Sequence, residues 1–217
     1  MSATTSTMPP AAATPAWIPS RLYRMTLEQY EAMAASGAIP TSHRVHLING
    51  YLVEKMTQKP PHVIADMLCG AELDRIIPPG WHIRSAKPVR LPGQASEPEP
   101  DHCVVRGTIV DYAERHPGPD DIALVVEVAD ASLADDRKLA IEVYGPAGIP
   151  VYWIVDVRGR RVEVYSGPGP QGYGPPAIFA EGQSIPVGIG GREVGRIAVA
   201  DILPPHRPRA EAADNGA

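Results

Sequence analysis

The sequence is poor in several features, and each shortage limits what the protein can be. Its 217 residues include only two cysteines, Cys69 and Cys103, which form neither a metal-ligand motif nor a disulfide framework. A reducing cytoplasm is therefore the expected location. No apolar run approaches the roughly 18 residues of a membrane-spanning helix, and the first residues lack the basic-then-apolar order of an export signal. We expect a cytoplasmic protein without a membrane partner.

Positive charge is also in short supply. Lys and Arg number 20 against 25 Asp and Glu, which gives a formal net charge of −5. This balance argues against attraction of the whole protein to nucleic acid, although a local basic groove would still allow binding.

The two ends of the chain differ in composition from its middle. Residues 1–20 are rich in Ser, Thr, Ala and Pro and carry no charged side chain. Such a segment buries too little apolar surface to offset the entropy of ordering it. Residues 1–20 and 204–217 are therefore predicted to be disordered tails, and the length of the remainder, 21–203, favours a single domain.

The centre of the chain has the pattern of a strand–helix–strand unit. Residues 122–128 form an apolar run that only Glu127 interrupts, which is typical of a strand covered on both faces. A helix is predicted at about 133–145, ended by Gly145-Pro146, and a second strand at 151–155. Open α/β sheets bind ligands at the carboxyl ends of their strands, where Glu127 lies.

The flanking segments complete a mixed α/β pattern. Thr26 is predicted to cap a first helix that ends at Gly37, and Asn49-Gly50 predicts a β-hairpin with a type I′ turn. A second helix is expected over residues 62–77. Further strands are expected at residues 81–91, 103–105, 161–165, 177–179, 184–187 and 197–199. The predicted fold is a central mixed sheet flanked by helices, with an N-terminal helix and hairpin and a C-terminal β extension.

Two carboxylates stand at comparable points of this sheet. Asp101 precedes the short strand at 103–105, and Glu127 lies near the end of the buried strand. If those strands are neighbours, both carboxylates converge on one edge. Mg²⁺ takes one or two carboxylates and keeps several waters, so the pair suits such an ion. From the residues alone, structural or solvated carboxylates are the alternative.

Several segments resemble one known family. They are EPEPD at 97–101, VVRG at 104–107, VVEV at 125–128, DR at 136–137, AGIP at 147–150, YWIV at 152–155 and GREVGRI at 191–197. Over residues 25–203 the chain is similar to the Uma-two family of putative restriction endonucleases, a branch of the PD-(D/E)XK nucleases. The resemblance implies a restriction-endonuclease-like fold and a Mg²⁺- or Mn²⁺-dependent endonuclease acting on DNA. It also implies that Asp101 and Glu127 are catalytic and bind the metal.

The sequence departs from the family pattern at the motif lysine. Ala129 and Ala140 occupy the two positions where that lysine would be expected. Arg137 shares the helical face of Ala140, whereas Lys138 is predicted to point away from it. Arg137 and Lys138 are the candidates for the missing catalytic cation, although an arginine offers no titratable amine.

Structural roles compete with these catalytic ones. Lys138 has the helical spacing for surface ion pairs with Asp135 and Glu142, and the alternative for Arg137 is a structural ion pair with Asp101 or Glu127. His62 matches a histidine that recurs in the family; it would either cap or pack its helix, or face the site as a donor.

Two functions follow from this reading. The first is a metal-dependent endonuclease, expected to be a homodimer because cutting both strands of a duplex needs two sites. The second is a catalytically degenerate nuclease-fold protein that acts as a binding or assembly module. The retained Asp101 and Glu127 favour the first function. Ala140 and the loss of both acidic positions in the segment 46–51 favour the second, so weak or absent cleavage is expected.

Overall fold

A six-stranded mixed sheet organises the part of the chain that the computed structural model describes, residues 22–39 and 44–206. In chain order the strands are β1 (Val45–Ile48), β2 (Tyr51–Glu54), β3 (Trp81–Ser85), β4 (His102–Arg106), β5 (Ile122–Ala129), β6 (Val151–Asp156), β7 (Arg161–Ser166), β8 (Ala177–Ala180), β9 (Ser184–Ile189) and β10 (Arg192–Ala198). The helices are α1 (Leu27–Ala35), α2 (Pro60–Ile76) and α3 (Leu133–Leu139).

The strand order of the main sheet is β3-β4-β5-β6-β7-β8. Only β5 and β6 run parallel, because α3 carries the chain back between them, and the other neighbours are antiparallel. The pairs β1–β2 and β9–β10 are separate two-stranded sheets. The predicted mixed sheet with an N-terminal helix and hairpin and a C-terminal β extension is confirmed.

Strand β5 is buried along its whole length, as its apolar run predicted. Successive side chains point to opposite faces of a sheet. Val126 and Val128 pack in the core with α2, while Val125 packs with Tyr144 and Tyr152 on the other face. Glu127 shares the phase of Val125 and therefore lies on that second face.

Local signals set the N-terminal helix and hairpin. Thr26 caps α1 in a capping box with Gln29. Asn49 and Gly50 both have positive φ, 49° and 80°, as a type I′ turn requires. A Cβ on Gly50 would lie 2.9 Å from the Cβ of Arg24, so this turn also needs glycine for space. The hairpin is then tied to the chain just before β4 by the bond from Glu97 N to Leu47 O.

Two predicted elements are shorter than expected. The strand predicted over 81–91 ends at Ser85, because Ala86 has a φ of 49° and Pro88 has no amide hydrogen to pair. The helix predicted over 133–145 is α-helical only to Leu139 and continues as a π-helical turn, Ala140–Tyr144. That wider turn changes which side chains share a face.

The predicted disordered tails fall outside the described residues, except for 204–206. Among the described helices, none combines the length and apolar character that crossing a membrane would require.

Candidate active site

The structure brings Asp101 and Glu127 together. Asp101 comes just before β4, and β4 pairs with β5, which carries Glu127. The backbone N–H of Asp101 donates to Glu127 Oε2 at 3.3 Å, and Val128 N–H donates to Asp101 Oδ2 at 2.9 Å. Both carboxylates are buried, and both line one cavity of about 350 Å³. Adjacent strands thus deliver two acidic side chains to a single point.

Lys55, which sequence reasoning missed, supplies a cation to this pair. Its ammonium lies 3.1 Å from Asp101 Oδ1 and donates to Glu99 O at 2.7 Å. Only 15% of its side chain is exposed. Burial would lower the pKa of Lys55, but attraction from Glu127 and Asp101 outweighs it and raises the pKa above its usual value. The ammonium therefore stays charged inside the cavity.

The position of Lys55 explains why no motif revealed it. The residue follows β2, 46 residues before Asp101, and reaches the site only because the hairpin docks there. Lys55 comes from the N-terminal hairpin, so the helical positions after Glu127 do not indicate it.

His62 also faces the site. It lies in the first turn of α2, which Pro60 and Pro61 begin, and its Nε2 is 3.2 Å from Asp101 Oδ2. Burial would lower the pKa of His62, but its hydrogen bond to Asp101 outweighs it and raises the pKa. Of the two roles considered for this histidine, the structure shows the site-facing donor.

The two carboxylates have opposite electrostatic environments. Burial alone would raise the pKa of Asp101, yet the hydrogen bond from His62 and the charge of Lys55 hold it below its usual range. Burial, followed by repulsion from Asp101, raises the pKa of Glu127 well above its usual value. Asp101 is therefore the ionised member of the pair, and Glu127 holds a proton more strongly.

Further polar groups hold Glu127 and extend the acidic cluster. The hydroxyl of the buried Tyr144 donates to Glu127 Oε1 at 3.1 Å. Asp136 lines the same cavity and accepts a bond of 2.7 Å from Ser132 Oγ. Burial, with a smaller contribution from Asp101, raises the pKa of Asp136 to about 7. The cavity thus contains a third buried carboxylate, which the sequence analysis included in a family-like segment but did not predict as a site residue.

The predicted orientations of Arg137 and Lys138 are wrong, as is the predicted pairing of Arg137 with Asp101 or Glu127, whereas the predicted surface ion pair of Lys138 with Asp135 is present. Arg137 points to β7, where its Nε donates to Glu163 Oε2 at 2.9 Å, and does not line the cavity. Lys138 stands at the cavity rim, paired with Asp135 at 2.8 Å and 66% exposed. Glu163 is almost fully buried, and a buried carboxylate needs a partner, which explains the direction that Arg137 takes.

Comparison with known proteins places these residues in a family. The profile of the family Uma2, described as "Putative restriction endonuclease", matches residues 27–199. No curated protein matches the chain.

The fold is similar to those of solved structures. One of them is a putative nuclease belonging to DUF820 from Anabaena variabilis, with a TM-score of 0.61 and 16% sequence identity. The match covers 82% of this chain and 97% of that one. At this identity, the likeness establishes the fold alone.

Proposed function

The chain belongs to the Uma2 family of putative restriction endonucleases, and from that premise we propose that it hydrolyses phosphodiester bonds in DNA. The observation that best supports the proposal is the contact of Lys55 with Asp101 beside Glu127. Two carboxylates and an amine are the groups that the nuclease motif requires, and here the amine comes from the hairpin instead of the strand or the crossover helix.

We propose that Asp101 and Glu127 would hold a Mg²⁺ or Mn²⁺ ion. Their oxygens suit a hard cation, which takes one or two carboxylates and fills its other positions with water or substrate phosphate. In the described ranges, no group of three or more His, Cys, Asp or Glu side chains is arranged to hold a metal. An ion held by two carboxylates and otherwise by water would therefore bind weakly. The ammonium of Lys55 on Asp101 indicates that positive charge is accommodated there. A bound ion would supply a water of lowered pKa and stabilise charge on the phosphate.

The side chains around the ion would each have a separate role in the reaction. Lys55 Nζ, held by Glu99 O and Asp101 Oδ1 in the cavity, would stabilise negative charge on a phosphate oxygen that enters it. His62 Nε2 would hold a proton beside Asp101 Oδ2. Tyr144 fixes Glu127 by its hydrogen bond. Because these side chains are largely buried, their electrostatic interactions are stronger than they would be in bulk water. Lys138, at the rim, would contact the DNA backbone.

A specific observation favours the second function, a degenerate nuclease fold that binds without cutting. Both oxygens of Asp101 are already engaged, by Lys55 on one side and by His62 and Val128 N–H on the other. The cavity also contains more carboxylates than lysines, so without an ion it would repel a phosphate backbone. Ala140 is fully buried and has no amine to contribute.

We further propose that the protein acts as a homodimer, because a duplex presents two strands to cut. All four residues of β2 are exposed, and three of them, Tyr51, Leu52 and Val53, are apolar. An exposed apolar edge strand is suited to pairing with the same strand of a second copy. Sedimentation of wild type and of Leu52→Lys tests this, and a wild-type monomer would exclude it.

Plasmid cleavage in Mn²⁺ tests the proposed nuclease. We expect weak nicking by wild type, and a loss of about 100-fold or more in Asp101→Asn and in Lys55→Met, because each removes a charge from the reacting site. Lys59→Met, a second cavity lysine, is the matched control and should cut like wild type. Absence of nicking by wild type would favour the second function, and a fluorescence anisotropy titration with DNA would then distinguish a DNA-binding module from an assembly module.

A further inference from the structure

We propose that Lys55 acts as a built-in competitor of the divalent ion, so that its ammonium must leave Asp101 before an ion can bind. The inference rests on the proposed function, because it concerns the ion that the nuclease would use. It makes a claim about affinity, however, which is measurable without any DNA.

Both carboxylate oxygens of Asp101 already have partners, so an entering ion must displace one of them. Oδ2 accepts from Val128 N–H at 2.9 Å and pairs with His62 at 3.2 Å. Oδ1 contacts Lys55 at 3.1 Å and Gln58 Nε2 at 3.4 Å. Val128 N–H belongs to the backbone of β5 and is fixed, and both it and His62 contact Oδ2, which leaves Oδ1 to the side chains of Lys55 and Gln58. The flexible side chain of Lys55 is therefore the partner that an ion most readily displaces.

The surroundings of Lys55 allow that displacement. Its backbone N–H donates to Arg44 O at 2.7 Å, which fixes the main chain at the end of the hairpin. Its ammonium has a second anchor, the carbonyl of Glu99 at 2.7 Å. On leaving Asp101, Lys55 would keep this second bond and remain beside the site. Ion entry thus breaks one contact of the lysine and not both.

The charge of Lys55 determines whether its removal strengthens or weakens the binding of a divalent ion. The ammonium of Lys55 lies 3.1 Å from Asp101 Oδ1, so the cavity offers an ion a weaker negative potential than the same carboxylates would without that positive charge. Removing the ammonium frees Oδ1 and restores that potential. A neutral residue at position 55 should therefore bind a divalent ion more tightly, even though it removes the amine that catalysis would use.

Titration calorimetry with MnCl₂, without DNA, tests this. Lys55→Met and Lys55→Gln should bind Mn²⁺ at least about tenfold more tightly than wild type. Lys55→Arg, which keeps the charge, and Lys59→Met, which removes a neighbouring one, should stay near wild type. Asp101→Asn should abolish the heat. Thermal unfolding confirms that each variant is folded, and the glutamine variant keeps a donor for Glu99 O if methionine disturbs packing.

The outcomes separate this inference from the proposed nuclease. Equal or weaker binding in both neutral variants overturns the inference, as does a heat that survives in Asp101→Asn or no heat in any protein. Tighter binding with no DNA cleavage by wild type would support the competition and reject the nuclease. Cleavage of DNA by wild type, with no tighter Mn²⁺ binding in the neutral Lys55 variants, would support the nuclease and reject the competition. If both the competition and the nuclease are correct, Lys55→Met binds Mn²⁺ more tightly than wild type and cleaves DNA more slowly.

Discussion

His102 Nε2 lies 2.9 Å from the carboxylate of Asp66 on α2, immediately beside the contact between Asp101 and His62. The same nitrogen is 2.8 Å from the carbonyl of Asp66, which only accepts, so Nε2 carries the proton. Two consecutive residues at the start of β4 thus contact two residues one turn apart on α2. Each contact joins an imidazole to a carboxylate: α2 supplies the imidazole to Asp101 and the carboxylate to His102. This crossed pair fixes the helix that carries His62 against the strand that follows Asp101.

Replacing Asp66 with Asn should weaken the crossed pair. The substitution keeps the size of the side chain but removes its charge from the buried His102, and a lost charge-assisted bond costs about 1.5–3 kcal/mol. Urea unfolding at pH 7 measures the loss. Asp74→Asn, on an exposed turn of the same helix, is the control and should change stability by less than about 0.5 kcal/mol. Equal effects of the two substitutions would contradict a specific role for Asp66.

Gly70→Ala should destabilise the protein although it improves helix propensity. Alanine in a helix interior is favoured over glycine by about 1 kcal/mol. A Cβ on Gly70, however, would lie 2.8 Å from Cε1 of His102. That ring cannot move aside cheaply, because it is buried and both of its nitrogens are bonded, Nδ1 to Ser85 Oγ at 3.0 Å. We expect a net loss of about 1–2 kcal/mol in urea unfolding.

Gly93→Ala is the control for that prediction. A Cβ there meets nothing within 4 Å, and the backbone does not have positive φ. Its stability should equal or slightly exceed that of wild type. A gain in stability for Gly70→Ala would show that the His102 ring is free to shift.

The elements that could be predicted from sequence are those set by local chemistry. The capping box at Thr26 and the Asn49-Gly50 turn depend on residues within a few positions, and both occur as expected. The fully buried strand β5 follows from an apolar run of its own length. The meeting of Asp101 with Glu127 required only that two short strands be neighbours, which the family resemblance also implied.

The part of the site that could not be predicted depends on docking between distant segments. Lys55 meets Asp101 because a separate hairpin is bonded to the chain before β4, and no spacing in the sequence encodes that contact. The direction of Arg137 was missed for a similar reason, since its buried partner Glu163 comes from β7. The assumed α-helical phase also ends at Leu139, where a π-helical turn begins.

Stability should depend on pH through Glu97, which is 6% exposed and whose Oε2 has no hydrogen-bond partner among the described residues. Burial, followed by repulsion from Glu31, raises the pKa of Glu97 to about 7, from about 4.5 for a glutamate in water. The folded state therefore binds this proton more strongly than the unfolded state. The resulting stability is present below about pH 4.5 and is lost as the pH rises through about 7.

Glu97→Gln should remove that contribution to the pH dependence. Each unit between the two pKa values corresponds to about 1.4 kcal/mol, so the variant should gain roughly 1–3 kcal/mol relative to wild type at pH 8. Urea unfolding at pH 5, 6.5 and 8 measures the trend. Glu114→Gln, on the exposed surface, is the control, and its unfolding free energy should change with pH as that of wild type does. A constant difference between Glu97→Gln and wild type across this range would contradict the assignment.

Arg137 should prove structural, and its substitution separates stability from catalysis. Arg137→Met leaves Glu163, which is 1% exposed, with Tyr165 and Arg161 as its partners among the described residues, and removing one member of a buried ion pair costs about 3–5 kcal/mol. Because Arg137 is half-exposed, the lower end of that range is expected. Cleavage per folded molecule, measured in Mn²⁺, should be unchanged. The double substitution with Glu163→Gln should recover much of the lost stability, since no buried charge then lacks a partner. If Arg137→Met instead abolished cleavage while unfolding at the wild-type urea concentration, the arginine would act at the site and the pairing with Glu163 would not describe the working protein.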